Sequence, residues 1–142
     1  MINDILELND NDQCLKEAIF PRCSDVLARR IDKNHVKDQD FKTEWEKDKR
    51  PGVNGVEKNE CELKAISVNL IKENFDQVVN KYKRMRSFSP NHKNFICLFQ
   101  IDKEDALIVN APEIEDVSHY NLYKCQSFDI NKIKVIDIID IK

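Results

Sequence analysis

Asn54, Glu62 and Lys64 are the residues of this chain whose types and spacing could do chemistry. They fall in the stretch from Pro51 to Ile66, which reads as a β-hairpin. Val53 to Glu57 and Cys61 to Ile66 are short runs with β-branched residues, parted by the polar trio Lys58, Asn59 and Glu60. With a three-residue loop, Val56 faces Glu62 and Asn54 faces Lys64, so alternation along the strands puts Asn54, Val56, Glu62 and Lys64 on one face. Phosphodiester hydrolysis uses such a set. A hard divalent cation takes oxygen ligands, here the Glu62 carboxylate and the Leu63 carbonyl. The ion lowers the pKa of its water and offsets charge building on the phosphate, while an ammonium such as Lys64 positions that water or shares the charge.

The stretch resembles the PD-(D/E)xK nuclease superfamily, which includes many restriction endonucleases, Holliday-junction resolvases and some homing endonucleases. Pro51-Gly52-Val53-Asn54-Gly55 looks like the half that carries the first acidic residue, with Asn54 at the metal-binding Asp position. Glu62-Leu63-Lys64 looks like the following E-x-K. The order of elements is similar over about residues 20 to 110, and the specific part is the hairpin. The resemblance implies an α/β fold with a restriction-endonuclease-like core, a mixed β-sheet flanked by helices. It also implies a Mg²⁺-dependent type II restriction-like deoxyribonuclease acting on DNA. Asn54, Glu62 and Leu63 would hold the metal and Lys64 would assist the water, in a homodimer, because cutting both strands calls for two symmetric sites. Asn54 offers a neutral oxygen where the family uses a charged one, so an inactivated or weakened site is expected. Two alternatives stand beside it: a catalytically inactive nucleic-acid-binding module, and an acidic immunity or inhibitor-type protein whose carboxylates meet a basic partner.

Lys81, Lys83, Arg84, Arg86, His92 and Lys93 form the strongest local charge bias, with no acid between Lys81 and Lys93. Such a stripe neutralises phosphates and gives salt-sensitive, sequence-independent affinity for DNA. Gathering at a helix C-terminus, where cations complement the dipole, explains part of it. Ser87, Ser89, Asn91 and Asn94 add hydrogen-bonding capacity nearby. His35, His92 and His119 are too dispersed for a metal motif and read as surface residues.

The 142 residues are expected to form one domain. A formal net charge of −3 excludes an indiscriminate polycation, so any DNA contact must come from a local patch. Gly52 and Gly55 are the only glycines, which excludes a phosphate-cradling glycine loop. The five cysteines show no C-x-x-C pair, and their odd number argues against a closed disulfide framework, as in a reducing compartment. Asp4, Glu7, Asp10 and Asp12 stand where a signal peptide would be basic, and no run approaches a membrane span. A soluble cytoplasmic protein without a membrane partner is expected.

The elements that must position these residues follow from periodicity. Helical spacing recurs over Ile2 to Leu8 and Gln13 to Phe20, and Ser24 reads as the N-cap of a helix from Asp25 to Ile31. Residues 32 to 50 read as a polar connector with Trp45 as its anchor. Ile71 to Met85 has amphipathic helical spacing. Phe95 to Ile101 reads as a buried strand, hairpinned through Asp102–Glu104 to a strand from Asp105 to Val109. Tyr120 to Cys125 reads as a short strand and Ile133 to Lys142 as an edge strand.

Overall fold

Ile66, Val68 and Leu70 alternate with Ser67, Asn69 and Ile71, a period of two that suits a strand with one apolar and one mixed face. In the computed structural model, which describes residues 5, 6, 8, 13–88 and 92–142, this strand lies at the heart of a six-stranded sheet. The strands are β1 (Val26–Ile31), β2 (Ile66–Ile71), β3 (Phe95–Gln100), β4 (Ala106–Asn110), β5 (His119–Lys124) and β6 (Lys134–Asp140). Their order is β4-β5-β2-β1-β3-β6, and every neighbouring pair is antiparallel. Two α-helices occur among the described residues, the single turn α1 (Glu60–Leu63) and the longer α2 (Phe75–Phe88).

This architecture corrects the expected α/β restriction-endonuclease-like core: the sheet is antiparallel, not mixed, and one helix of substance covers it rather than helices on both sides. Three local signals account for the difference. Asp25–Ile31 is not a helix, because Val26, Leu27 and Ile31 fit both periods over so short a run and pairing on both sides with β2 and β3 decides for strand. The hairpin from Val53 to Ile66 is absent, because Asn59-x-x-Glu62 is a capping box: Asn59 Oδ1 accepts from Glu62 N at 2.9 Å and Glu62 Oε1 accepts from Asn59 N at 3.3 Å. Finally, β3 and β4 are not a hairpin; the turn at Asp102–Asp105 forms, but β4 lies beside β5 at the opposite edge. The helix expected over Ile2–Leu8 falls partly outside the described residues, as do Asp4, Glu7, Asp10, Asp12, Ser89 and Asn91, and Gln13–Phe20 yields only a 3₁₀ turn, Gln13–Leu15.

One face of the sheet is dry. Leu27, Ile66, Val68, Phe99, Ile108 and Leu122 meet beneath Phe41, whose ring stands edge-on to Phe99 at 5.2 Å. Ile101 and Ala106, at the two ends of the short link from β3 to β4, belong to the same cluster, so the sheet wraps around this core. The other face has two separate covers. Val78 and Tyr82 of α2 pack on Ala28, Ile96 and Ile141, over β1, β3 and the residue after β6. Ile5, Leu8, Cys14 and Leu15 pack on Leu107, Tyr123 and Cys125, over β4 and β5, and a disulfide from Cys14 to Cys61 ties this segment to α1. That bond contradicts the expectation of unpaired cysteines; the partners are 47 residues apart, and no spacing announces them. Cys97 and Cys125 are buried small apolar residues as expected, and burial pushes the Cys97 thiol up to about 12.

Candidate functional site

Beside α2 a cleft opens over the middle of the sheet. Asn69 of β2 sits across from His119 of β5 and from Ala28 of β1, so Asn69 and His119 share the α2 side with Ser67, and Arg30 lies two residues on from Ala28. These side chains line a cleft of about 510 Å³, with Tyr82 and Met85 of α2 as one wall. The cleft gathers cations from four parts of the chain: Arg29 and Arg30 from β1, Lys42, Lys47 and Lys58 from the long connector, Lys81 from α2, and Lys93 from just before β3. Glu44 and Glu113 are the carboxylates that line it. In a chain of net charge −3 this is a strong local reversal.

Some of these cations are committed. Lys58 pairs with Glu44 at 3.3 Å, and although burial works against the Glu44 carboxylate, Lys58 and Lys49 hold it below its ordinary range. Lys81 bonds Asp116 and reaches Glu113 at 3.1 Å. Arg29 donates to the carbonyls of Asp40 at 2.7 Å and Ser67 at 2.9 Å, taking over from the β1–β2 ladder where its register ends at Ala28–Asn69. Arg30 holds the carbonyls of His92 and Lys93 at 3.2–3.4 Å through Nε and Nη2. No described carboxylate lies within ion-pair distance of Arg30, Lys42, Lys47 or Lys93. Partial burial, together with the Arg29, Arg30 and Lys47 charges, holds the Lys93 ammonium down at about 8.

A polar network fixes the floor. Tyr82 Oη lies 2.8 Å from Asn69 Oδ1 and 3.1 Å from the Ala28 carbonyl. Asn69 Nδ2 in turn meets the Asp116 carboxylate at 3.0 Å and Ser118 Oγ at 2.9 Å. Burial opposes the charge on Asp116, but Lys81, Asn69 and Ser118 outweigh it and keep the carboxyl below its usual range. Burial raises the Tyr82 hydroxyl far above a phenol's normal value, so it stays protonated. His119 is 8% exposed, unlike the surface residue expected from sequence, whereas His35 and His92 are exposed. Its Nδ1 is 2.8 Å from the Ala111 carbonyl, an acceptor only, so Nδ1 carries the proton. Nε2 makes no hydrogen bond among the described residues, and no unpaired polar atom is sealed in, so Nε2 opens to the cleft.

The residues predicted from the hairpin are elsewhere and apart. Asn54 lies in an exposed turn at φ 54°, in a surface depression with Asp48, Arg50, Glu57 and their neighbours. Glu62 is engaged by the Asn59 cap, and Leu63 is buried with its carbonyl accepting from Trp45 N at 2.9 Å. Lys64 pairs with Glu60 at 3.5 Å and lies 4.4 Å from the centre of the Trp45 ring, and Arg50 lies 3.6 Å from it. The Lys64 contact and the bond from Trp45 N to the Leu63 carbonyl tie the connector to α1. Of the predicted DNA-binding stripe, Lys81 and Lys93 reach the cleft, Arg86 holds Asn94 Oδ1 at 2.8 Å, and Lys83 and Arg84 lie exposed on α2.

The chain matches no protein-family model, no curated protein and no solved structure. Among the described residues no group of three or more His, Cys, Asp or Glu is placed to hold a metal ion, and no helix is long and apolar enough to cross a membrane. Arg30, Ser67 and His119 were missed from sequence because three distant segments contribute them. The alternation Ser67-Val68-Asn69-Leu70, polar on one face of an otherwise apolar strand, was the signal available.

Proposed function

We propose that this protein binds a nucleic acid strand through the cleft over the middle of the sheet. The observation that carries the reading is the convergence of Arg30, Lys42, Lys47 and Lys93 on one cleft without a described carboxylate in ion-pair reach. A phosphate backbone supplies the missing negative charge, and the Ser67 hydroxyl adds a neutral donor beside it. Binding by such contacts releases counterions, so affinity must fall steeply with salt.

Fluorescence anisotropy with short labelled single-stranded RNA, single-stranded DNA and duplex DNA between low and physiological salt tests this. For single strands, each phosphate contact adds about −0.7 to the slope of log affinity against log salt. Lys42→Glu with Lys47→Glu should therefore remove at least about 1.4 from that slope. No binding of any of the three probes at low salt would sink the reading. Duplex and single-stranded DNA are among the ligands tested, and sedimentation of the free and loaded protein reads whether the bound form is a homodimer.

A further inference from the structure

Phe88 closes α2 at 87% exposure, the most exposed aromatic side chain among the described residues. It follows Lys81 and Met85, which both line the cleft, at the i, i+4, i+7 spacing that sets three side chains along one side of a helix. Phe88 therefore continues the α2 wall of the cleft by about one turn. Strand register fixes which end of the cleft it reaches. Tyr82 bonds the Ala28 carbonyl, and one turn further on Arg86 bonds Asn94, the neighbour of Phe95, whose partner across the sheet is Ile31. So α2 runs along β1 from Ala28 toward Ile31, and its last turn lies beside the segment that carries Lys93. At that end Arg30 holds the Lys93 carbonyl at 3.2 Å, while its Nη1 makes no hydrogen bond among the described residues. A second depression, whose acids are Asp32 and Asp40, shares Arg29, Arg30, Lys47 and Lys93 with the cleft and extends it to His92.

Resting on the nucleic-acid-binding reading, we propose that the cleft takes its strand single, with one nucleobase stacked on the Phe88 ring and the adjoining phosphates on Arg30, Lys47 and Lys93. A single strand alternates a negative phosphate with a flat apolar base, so one polymer satisfies both the cations and the bare ring beside them. An acidic peptide would meet the cations and leave the ring in water. In a duplex each base is already covered by its neighbours in the stack, so no π-face is offered to Phe88 along its length. Met85, 44% exposed and one turn before Phe88, adds a polarizable thioether against the same base. Stacking of this kind accepts any base, so RNA and DNA strands are both ligands.

Anisotropy of a labelled oligothymidine, a strand of equal length made of abasic sites, and a duplex tests this with the full chain. Phe88→Ala should weaken oligothymidine binding about 5–150-fold. The salt slope should not change, because no phosphate contact is lost. Phe88→Leu, apolar without a π-face, should behave like Phe88→Ala. Phe88→Trp should bind as tightly as the parent and show emission quenched by the strand beyond any change at Trp45, the single tryptophan of the parent. The abasic strand should bind the parent and Phe88→Ala equally weakly. All three substitutions fall on an exposed side chain at a helix end, so folding is not at stake. Oligothymidine binding unchanged in Phe88→Ala, or retained in Phe88→Leu, overturns the stacking role and leaves the binding reading standing. Tighter binding of the duplex than of the strand overturns the choice of a single strand with the same consequence. Self-association of the free chain that Phe88→Ala abolishes gives the ring to a second copy and overturns the inference. Binding of none of the probes by the parent overturns this inference and the binding reading together.

Discussion

On the face away from α2, Leu27, Val68, Phe99 and Leu122 close into a dry core under Phe41; on the opposite face the same strands present Arg30, Ser67, Asn69 and His119 to a cleft beside α2. The strands are shared, so strand pairing does not explain the contrast. What differs is the cover. Phe41 and its neighbours lie across the first face, where the buried side chains are apolar apart from Lys124, whose ammonium pairs with Glu46. α2 packs over β1, β2 and β3, the segment tied by Cys14–Cys61 covers β4 and β5, and β2 carries on this side an exposed Ser67 and a buried Asn69 whose amide is satisfied by Tyr82, Asp116 and Ser118. The site is thus a consequence of incomplete layering, walled by α2 on one side and by the connector that carries Lys42, Glu44, Lys47 and Lys58 on another.

The comparison can be broken from the dry side first. Phe99→Ala removes a fully buried ring that packs on Phe41, and should cost about 3–5 kcal/mol in urea unfolding, with oligonucleotide affinity of the folded fraction unchanged. A loss of affinity beyond that expected from the unfolded fraction would show that the two faces are not separable. Cys14→Ser releases the wall over β4 and β5; the 47-residue loop closed by the bond suggests about 2–4 kcal/mol. Here affinity should fall along with stability, because Ala65, which lines the cleft, packs in the cluster this segment closes. A variant that binds like the parent would show that α2 and the connector suffice.

Asp116→Asn addresses the network at the floor, where the carboxylate meets Asn69, Ser118 and Lys81. Loss of these charge-assisted bonds should cost about 1.5–3 kcal/mol. The folded state depresses the Asp116 carboxyl, so its stabilisation is present above the usual carboxylate range and fades as pH falls through the lowered folded value. Unfolding curves of parent and variant should accordingly converge toward acid pH. Parallel curves across that range would mean the carboxylate contributes nothing specific.

Much of the strand content was legible. Phe95–Ile101 reads as buried because its apolar run is almost unbroken, and it forms β3 (Phe95–Gln100) between β1 and β6; Ile133–Lys142, charged at intervals, forms the edge strand β6. The helix after β2 is present as α2, displaced toward Phe88 because Ile71 ends the strand and Asn74 engages Lys72 N and the Leu70 carbonyl before the first turn. The site was legible only in part. Lys81 and Lys93 stood out by charge, but Arg30 read as helical surface and His119 as solvated, since their neighbours come from strands remote in sequence. Asn59-x-x-Glu62 carries the signature of a capping box, and the helical turn it starts disperses the side chains that a hairpin would gather.

The smallest expected effect belongs to Asn54→Asp. Asn54 sits in an exposed turn and Glu62 is held in the α1 cap, so restoring the acid should change stability by less than about 0.5 kcal/mol. It should also produce no Mg²⁺-dependent cleavage of plasmid DNA. Appearance of such cleavage would return the hairpin to consideration.

The central claim, that the open middle of the sheet is where a phosphate backbone lies, is tested most directly by mapping amide and side-chain chemical shifts during titration with a short single-stranded oligonucleotide. The account predicts that the largest changes fall at Arg30, Ser67, His119 and Lys93. Changes confined to Lys83 and Arg84 on the outer surface of α2, or to Asn54, Glu62 and Lys64, would contradict it.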